Sequence, residues 1–238
     1  MRDFAEIWGY LAQGPLVWLT ATLVAYIAGD TLSKAANRAP LANPVLIAVA
    51  LLAGMLWASD TPYPVYFEGA QFVHFLLGPA TVALALPLHA NLDQVRRSAL
   101  PLAAALIAGS VTAIASVILT ARALGIEGVT LISLVPKSTT APVAIGISES
   151  LGGSPTLTAV LVLLTGVTGA IVATPLLNLL RIRDWRARGF AVGVAAHGLG
   201  TARALQVNPT AGAFAGIGMG LNAMLTALIA PALLRLFQ

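Results

Sequence analysis

The sequence predicts an all-α fold: a polytopic membrane helix bundle with two broken or re-entrant helical segments and signs of an inverted repeat. Three observations predict it. Hydrophobic residues make up 58% of the 238-residue chain and charged residues 9%, whereas an ordinary soluble domain is about 25% charged. Six stretches free of Asp, Glu, Lys and Arg are long enough to cross a bilayer, which takes roughly 20 apolar residues. Two further apolar stretches are interrupted by polar, Gly- or Pro-rich centres.

The same numbers exclude other classes. A mean hydropathy of +0.88 rules out a soluble globular enzyme and a disordered chain. The net charge of +4 is small and scattered, so no nucleic-acid partner is expected. There is no cysteine, hence no disulfide frame, thiolate metal site or thiol nucleophile. His74, His89 and His197 are far apart and no HExxH or CxxC spacing exists, so no metal site is expected. Neither a nucleophile–base–acid set nor a Gly-rich phosphate loop is present, so neither catalysis nor a cofactor is expected. The whole chain, residues 1–238, is expected to be one integral membrane domain.

Taken in order, the spanning stretches are Ile7 to Gly29, Ala39 to Ser59, Gly69 to Leu92, Ser98 to Ala121, Ser150 to Leu180 and Ala204 to Leu234. The first is expected to span rather than to be a signal peptide, because Asp3 and Glu6 offset Arg2 and apolar sequence continues beyond Asp30. Between these lie the interrupted pieces, LISLVPKSTTAPVAIGISESL (Leu131 to Leu151) and GFAVGVAAHGLGTARALQV (Gly189 to Val207). Backbone left without hydrogen bonds cannot face lipid, so their polar centres must be buried in protein or line a cavity. Broken helices of this kind form binding sites in many transporters.

Basic residues orient the chain. Lys34 and Arg38 follow the first stretch and Arg96 and Arg97 the third, while Asp60 and Glu68 lie in the loop between the second and third. This alternation places the N-terminus outside. Arg181, Arg183, Arg186 and Arg188 form the strongest basic cluster. It falls inside if Leu131 to Leu151 dips in and returns, and outside if every piece crosses; the first arrangement is preferred. A shift of 57 residues from Leu77 pairs Leu77 with Leu134, Pro79 with Pro136, Gly109 with Gly166 and Ala113 with Ala170. Chance matching of Ala, Leu and Gly competes with an internal repeat. Gly166, Gly169 and Ala173, and likewise Gly212, Gly216 and Gly220, have the small-residue spacing of close helix packing or of a homo-oligomer face.

Ionisable groups inside a membrane are costly, which makes them functional candidates. Lys137 sits in Pro136-Lys137-Ser138-Thr139-Thr140-Ala141-Pro142. Both prolines interrupt helix hydrogen bonding, and Pro142 suits the first turn of a second arm, with Thr140 or Ala141 near its N-cap. Free N–H groups, the lysine charge and the hydroxyls of Ser138, Thr139 and Thr140 together describe an anion site, most simply for a small carboxylate. The competing reading is a loop lysine reaching the interface. In the second motif, Gly198 and Gly200 permit unusual backbone geometry, Thr201 offers a hydroxyl and Arg203 a guanidinium that can grip a carboxylate at two points. His197 there is a hydrogen-bonding or proton-carrying candidate, against a histidine merely bonded to a helix end. Asn43 before Pro44 suits a helix cap, with a cavity role as the alternative. Glu149 is either a partner for Lys137 or a surface acid, and Asn222 an ordinary bond between helices.

These residues also carry a resemblance. LLGPATVALALPLH (Leu76 to His89), PKSTTAPVAIGISESLGG (Pro136 to Gly153), LTGVTGAI (Leu164 to Ile171) and ARGFAVGVAAHGLGTARA (Ala187 to Ala204), together with Asn43-Pro44, resemble the LrgB/CidB family, including its YohK-like members. The similarity runs over nearly the whole chain from about residue 40. The chain departs from the pattern at His89, where relatives often have Tyr, and at Ala141. The resemblance implies a multi-pass protein of the bacterial inner membrane that works with a small LrgA/CidA-like, holin-like membrane partner. It implies two functions. One is transport of small monocarboxylates, since the plant relative carries glycolate and glycerate and some bacterial members are linked to pyruvate. The other is modulation of murein hydrolase export and autolysis.

Overall fold

In the computed structural model, residues 14–76 and 92–236 are described, with isolated positions at 79, 82 and 89 between them. The regular secondary structure of the described residues is all helical, without a strand. Contacts divide the chain into two compact units, residues 1–83 and 84–238. The expected stretch Gly69 to Leu92 is described as far as residue 76, its first part falling in the helix that ends at Phe75; most of the remainder, with the first part of the repeat from Leu77 and most of Leu76 to His89, lies outside the described residues.

The first unit holds α1 (Pro15–Ala35), α2 (Pro44–Ala58) and α3 (Tyr63–Phe75). Helix α1 begins with its proline at the first helical position, where the missing N–H costs nothing. It runs past Gly29, where the charge-free stretch ends, and Asp30 in the added turns is paired with Lys34 at 2.5 Å and Arg38 at 3.6 Å. Ala25, Ala48 and Leu52 form the contact between α1 and α2. Trp18, fully buried, meets Tyr66 of α3 edge to face at 5.9 Å.

The second unit is built from α4 (Leu92–Arg97), α5 (Ala99–Ala123), α6 (Gly128–Leu134), α7 (Ala141–Ser150), α8 (Pro155–Leu179), α9 (Trp185–Val207) and α10 (Pro209–Leu236). Among the described residues, four helices are long and apolar enough to cross a membrane: α1, α5, α8 and α10. Most residues of these helices are not buried within the protein, which leaves apolar side chains to face lipid.

Both interrupted segments fold back on themselves. In the first, Ser133 near the end of α6 accepts from the Ser154 backbone N–H at 2.8 Å, just before α8. Thr158 of α8 donates to the Ser133 carbonyl or the Ser148 hydroxyl, at 3.2 and 2.7 Å. One residue of α8 therefore touches both arms, so α6 and α7 form a hairpin with Lys137, Ser138 and Thr139 at its tip. In the second, α9 breaks at Ala196 (φ −130°, ψ 17°) and His197 (φ 42°, ψ −136°). Gly200 then packs against the Val192 backbone, although a straight helix would hold the two roughly 12 Å apart. Val192 and Ala204 share one apolar cluster with Ala211 and Ala215 of α10.

The directions follow. Gly189 and Gly193 lie so close to the Ala211 and Ala215 carbonyls that a Cβ on either would strike them, so the first arm of α9 runs alongside α10 in the same sense. Ser98 at the start of α5 and Asp184 and Arg186 at the base of the second hairpin border one cavity. Arg96, Arg97, Arg181, Arg183 and Arg186 therefore share a membrane side. At the other ends of α5 and α10, Ile118, Ala121 and Leu234 cluster with Leu131 and Ile147 of the first hairpin; Glu127 and Glu149 belong to that opposite side. The first hairpin enters from the glutamate side and is followed by α8. The second enters from the arginine side and is followed by α10, running the other way. Hairpin plus helix thus occurs twice with opposite orientation, the arrangement of inverted repeats.

At the base of the second hairpin, Asp184 caps α9 by accepting from Arg186 N at 2.8 Å and also pairs with the Arg186 side chain at 2.7 Å. The Arg186 side chain, helped by its backbone N–H, holds the Asp184 carboxyl below the usual carboxylate range. Arg188, almost buried, donates to Asn178 Oδ1 at 2.8 Å and the Ile182 carbonyl at 2.9 Å, and lies 4.9 Å over the Trp185 ring.

Candidate functional site

The hairpin tips meet in the interior at Asn222 of α10, which is 1% exposed. Its amide donates to the Ser138 carbonyl of the first tip and the Val194 carbonyl of the second, each at 3.1 Å. The Val194 carbonyl would pair with an N–H one turn on in an unbroken helix, so the break at His197 leaves it in need of a donor. On the other side of the amide, Asn222 Oδ1 accepts from Ser110 at 2.6 Å and Thr226 at 3.3 Å. All the hydrogen-bonding groups of the side chain are engaged, as burial demands.

His197 is buried with its Nε2 2.9 Å from the Val162 carbonyl of α8. A carbonyl only accepts, so Nε2 carries the proton. The ring lies against Gly166, and Ala196 lies against Gly169, positions where a Cβ would strike the tip. Small residues on α8 thus make room for the second hairpin. The positive φ falls on His197 itself rather than on Gly198 or Gly200. The bond to Val162 and the packing on Gly166 hold a backbone conformation that favours glycine.

Lys137 is half-buried, and its ammonium makes no hydrogen bond or ion pair among the described residues. It lies near enough to His197 for the two to interact electrostatically. A cavity of about 470 Å³ between α8 and α9 reaches it, lined by Leu161, Thr165, Gly169 and Ala196.

The expected site residues divide into groups. Lys137, Ser138 and His197 are brought together at the tips. Thr139 is buried there, but its hydroxyl donates to the Pro136 carbonyl at 3.1 Å. Thr140 is the N-cap of α7, with Pro142 in the first turn as expected. Thr201 donates to the His197 carbonyl at 2.8 Å, so it braces the break. Gly198 faces Met219. Arg203 stands near the hairpin base, bordering a small cavity with Trp185 and Arg188, and bonds Gln206 at 3.5 Å. Glu149 is exposed at the end of α7, away from Lys137. Asn43, in the first unit, caps α2 by accepting from Val45 N at 2.9 Å and Leu46 N at 3.3 Å.

The sequence pattern of the LrgB-like family matches residues 22–236. The chain is 35% identical over 223 residues to YxaC of Bacillus subtilis (strain 168), covering 94% of this chain and 96% of that one. It is 32% identical over 222 residues to the Holin-like protein CidB of Staphylococcus epidermidis (strain ATCC 12228 / FDA PCI 1200), covering 93% and 96%. It is also 32% identical over 225 residues to the protein of that name in Staphylococcus aureus (strain N315), covering 94% and 97%.

The chain belongs to the LrgB family. It is a multi-pass bacterial membrane protein. No solved structure gives a significant match.

Within this LrgB-family chain, the residue that sequence reasoning undervalued is Asn222. The available signal was one strongly polar side chain within a long apolar helix, a costly placement unless every polar atom finds a partner. Ser110 gave no comparable signal, because serine is common in membrane helices.

Proposed function

We propose that this LrgB-family protein is a secondary transporter of small monocarboxylates, of the pyruvate, glycolate or glycerate class, in the bacterial inner membrane. The observation that supports this is the Lys137 ammonium, without a partner among the described residues, at the tip of one re-entrant hairpin where it meets the other. An unpaired cation inside a membrane protein is costly, and a single cation suits a monoanion. In this reading Lys137 and Ser138 bind the carboxylate end of the solute, and no covalent chemistry is involved. Thr139, Thr201 and His197 act by fixing the two breaks, and Thr140 stands at the N-terminal end of α7. Gly198 gives room beside Met219, while Arg203 and Asn43 hold helix ends.

The names of the CidB relatives favour a second reading, a holin-associated modulator of murein hydrolase export and autolysis. In both readings the chain acts as one membrane domain with a small LrgA/CidA-like partner, and homo-oligomers are compatible with either. Uptake of labelled pyruvate, glycolate and glycerate into proteoliposomes, with and without the small partner, separates them. The transport reading expects saturable uptake that Lys137→Ala reduces by roughly 10- to 150-fold, the loss of one ionic hydrogen bond at about 1.5–3 kcal/mol. No uptake in either preparation, with altered autolysis in cells lacking the protein, establishes the second reading instead.

A further inference from the structure

Helix α5 lines two cavities in succession, and Lys137 stands between them. The first, about 600 Å³, begins at Ser98, Asp184 and Arg186 and ends at Gly109, Ala113 and Lys137. The second, about 400 Å³, begins at Leu124 and Ile126 and ends at Ser116 and Lys137. The first mouth lies on the arginine side and the second on the glutamate side. Ala113 and Ser116 are neighbours on one helical face, and the Ser116 hydroxyl donates to the Ala113 carbonyl at 3.2 Å. The cavity along α8 also reaches Lys137, but its lining continues only towards Leu176 and Leu177, on the arginine side.

We infer that the solute path runs along α5, each half reached from its own membrane side and the two halves interrupted where the cavities meet at Lys137, beside Ala113 and Ser116, and that this lysine makes the path select anions. The inference rests on the transport reading and adds the route and the selecting group. Ser116 and Thr120 supply the polar groups of the glutamate-side half, and Ser98 and Ser138 those of the arginine-side half. A cation where the two cavities meet attracts anions and repels cations, so one lysine is enough to set the sign.

The natural chain has no cysteine, which permits a direct test. Ala105→Cys, Ala113→Cys, Ser116→Cys and Thr120→Cys are made singly in the full chain. Each is treated in intact cells and in inside-out vesicles with two impermeant methanethiosulfonates, one bearing a sulfonate and one a trimethylammonium. The cysteines at 105 and 113 should react only from the face that exposes Arg183→Cys, and those at 116 and 120 only from the opposite face. At 113 and 116 the sulfonate should be favoured by about tenfold over the cationic reagent, relative to a free thiol, the scale of one nearby unit charge. Lys137→Gln should abolish that preference. Reaction of all four from one face overturns the path, as does no reaction when the denatured proteins label fully. A charge preference unchanged by Lys137→Gln removes the lysine as selector. Labelling requires no transport, so the two claims fail separately: two-sided labelling without monocarboxylate uptake keeps the path and rejects the solute, and uptake with one-sided labelling does the reverse.

Discussion

Asn222 donates its side-chain amide to the carbonyl of Ser138 at 3.1 Å, tying the last helix to the tip of a hairpin that enters from the opposite membrane side. The other amide hydrogen serves Val194 at the same distance. Each re-entrant segment exposes carbonyls where its helix stops, and in a membrane interior no water replaces the missing donors. One side chain on α10 therefore solves the same problem for both hairpins and fixes their mutual position.

Asn222→Asp should be strongly destabilising, since it removes both donors and adds a buried charge. Asn222→Ala should lose about 1–3 kcal/mol for each carbonyl left unsatisfied. Ser110→Ala should cost much less, because Asn222 Oδ1 still accepts from Thr226. Thermal unfolding in detergent checks the ranking; equal loss in Ser110→Ala and Asn222→Ala contradicts the bridging role.

At His197 the ordinary order of helix preferences should reverse. Glycine normally costs about 1 kcal/mol relative to alanine inside a helix. Here φ is 42° and ψ −136°, a region where a side chain costs of order 1–3 kcal/mol and glycine does not. Both His197→Gly and His197→Ala lose the Val162 bond, so the glycine variant should be the more stable by about 1 kcal/mol. Melting temperatures of the pair decide it, and a more stable alanine variant means that the break relaxes when the ring is removed.

The helical class, the two interruptions and the placement of Lys137 at one of them were legible in the sequence because composition and Pro/Gly punctuation are local signals. Thr140 as an N-cap and Pro142 in the first turn were legible for the same reason. The roles of Thr139 and Thr201 were not, since a hydroxyl near a helix break serves the backbone as readily as a ligand. Gly198 and Gly200 drew the expected unusual backbone, yet it falls on His197, where a bond to Val162 from a distant helix overrides local preference. Asn222 was legible as a buried polar group but not as the meeting point of both tips, which depends on how the hairpins turn back.

Two glycines within the hairpin arms offer a test of the packing. Gly193→Val should be badly tolerated, because its Cβ would strike the Ala215 carbonyl and backbone cannot move aside cheaply. Overpacking of this kind costs about 1–3 kcal/mol or more. Gly146, within α7, has open space around it, and Gly146→Ala should stabilise by about 0.5–1 kcal/mol through helix preference. Unfolding of the two variants under one set of conditions should move in opposite directions; a neutral Gly193→Val shows that the second hairpin stands farther from α10.

The arginine side should be cytoplasmic. Arg96 and Arg97 precede α5, and Arg181, Arg183 and Arg186 lie at the base of the second hairpin, all on one face because the first hairpin, between α5 and α8, returns to the side it enters. Short loops rich in arginine are retained inside during insertion. Arg97→Cys and Arg183→Cys should therefore both resist an impermeant thiol reagent in intact cells and both react in inside-out vesicles. Gly125→Cys, in the turn after α5, should show the opposite pattern. Labelling of Arg97→Cys and Arg183→Cys from different sides would mean that one hairpin crosses, and the shared meeting point at Asn222 would then have no geometric basis. Labelling of both from outside would keep the hairpins and invert the protein in the membrane.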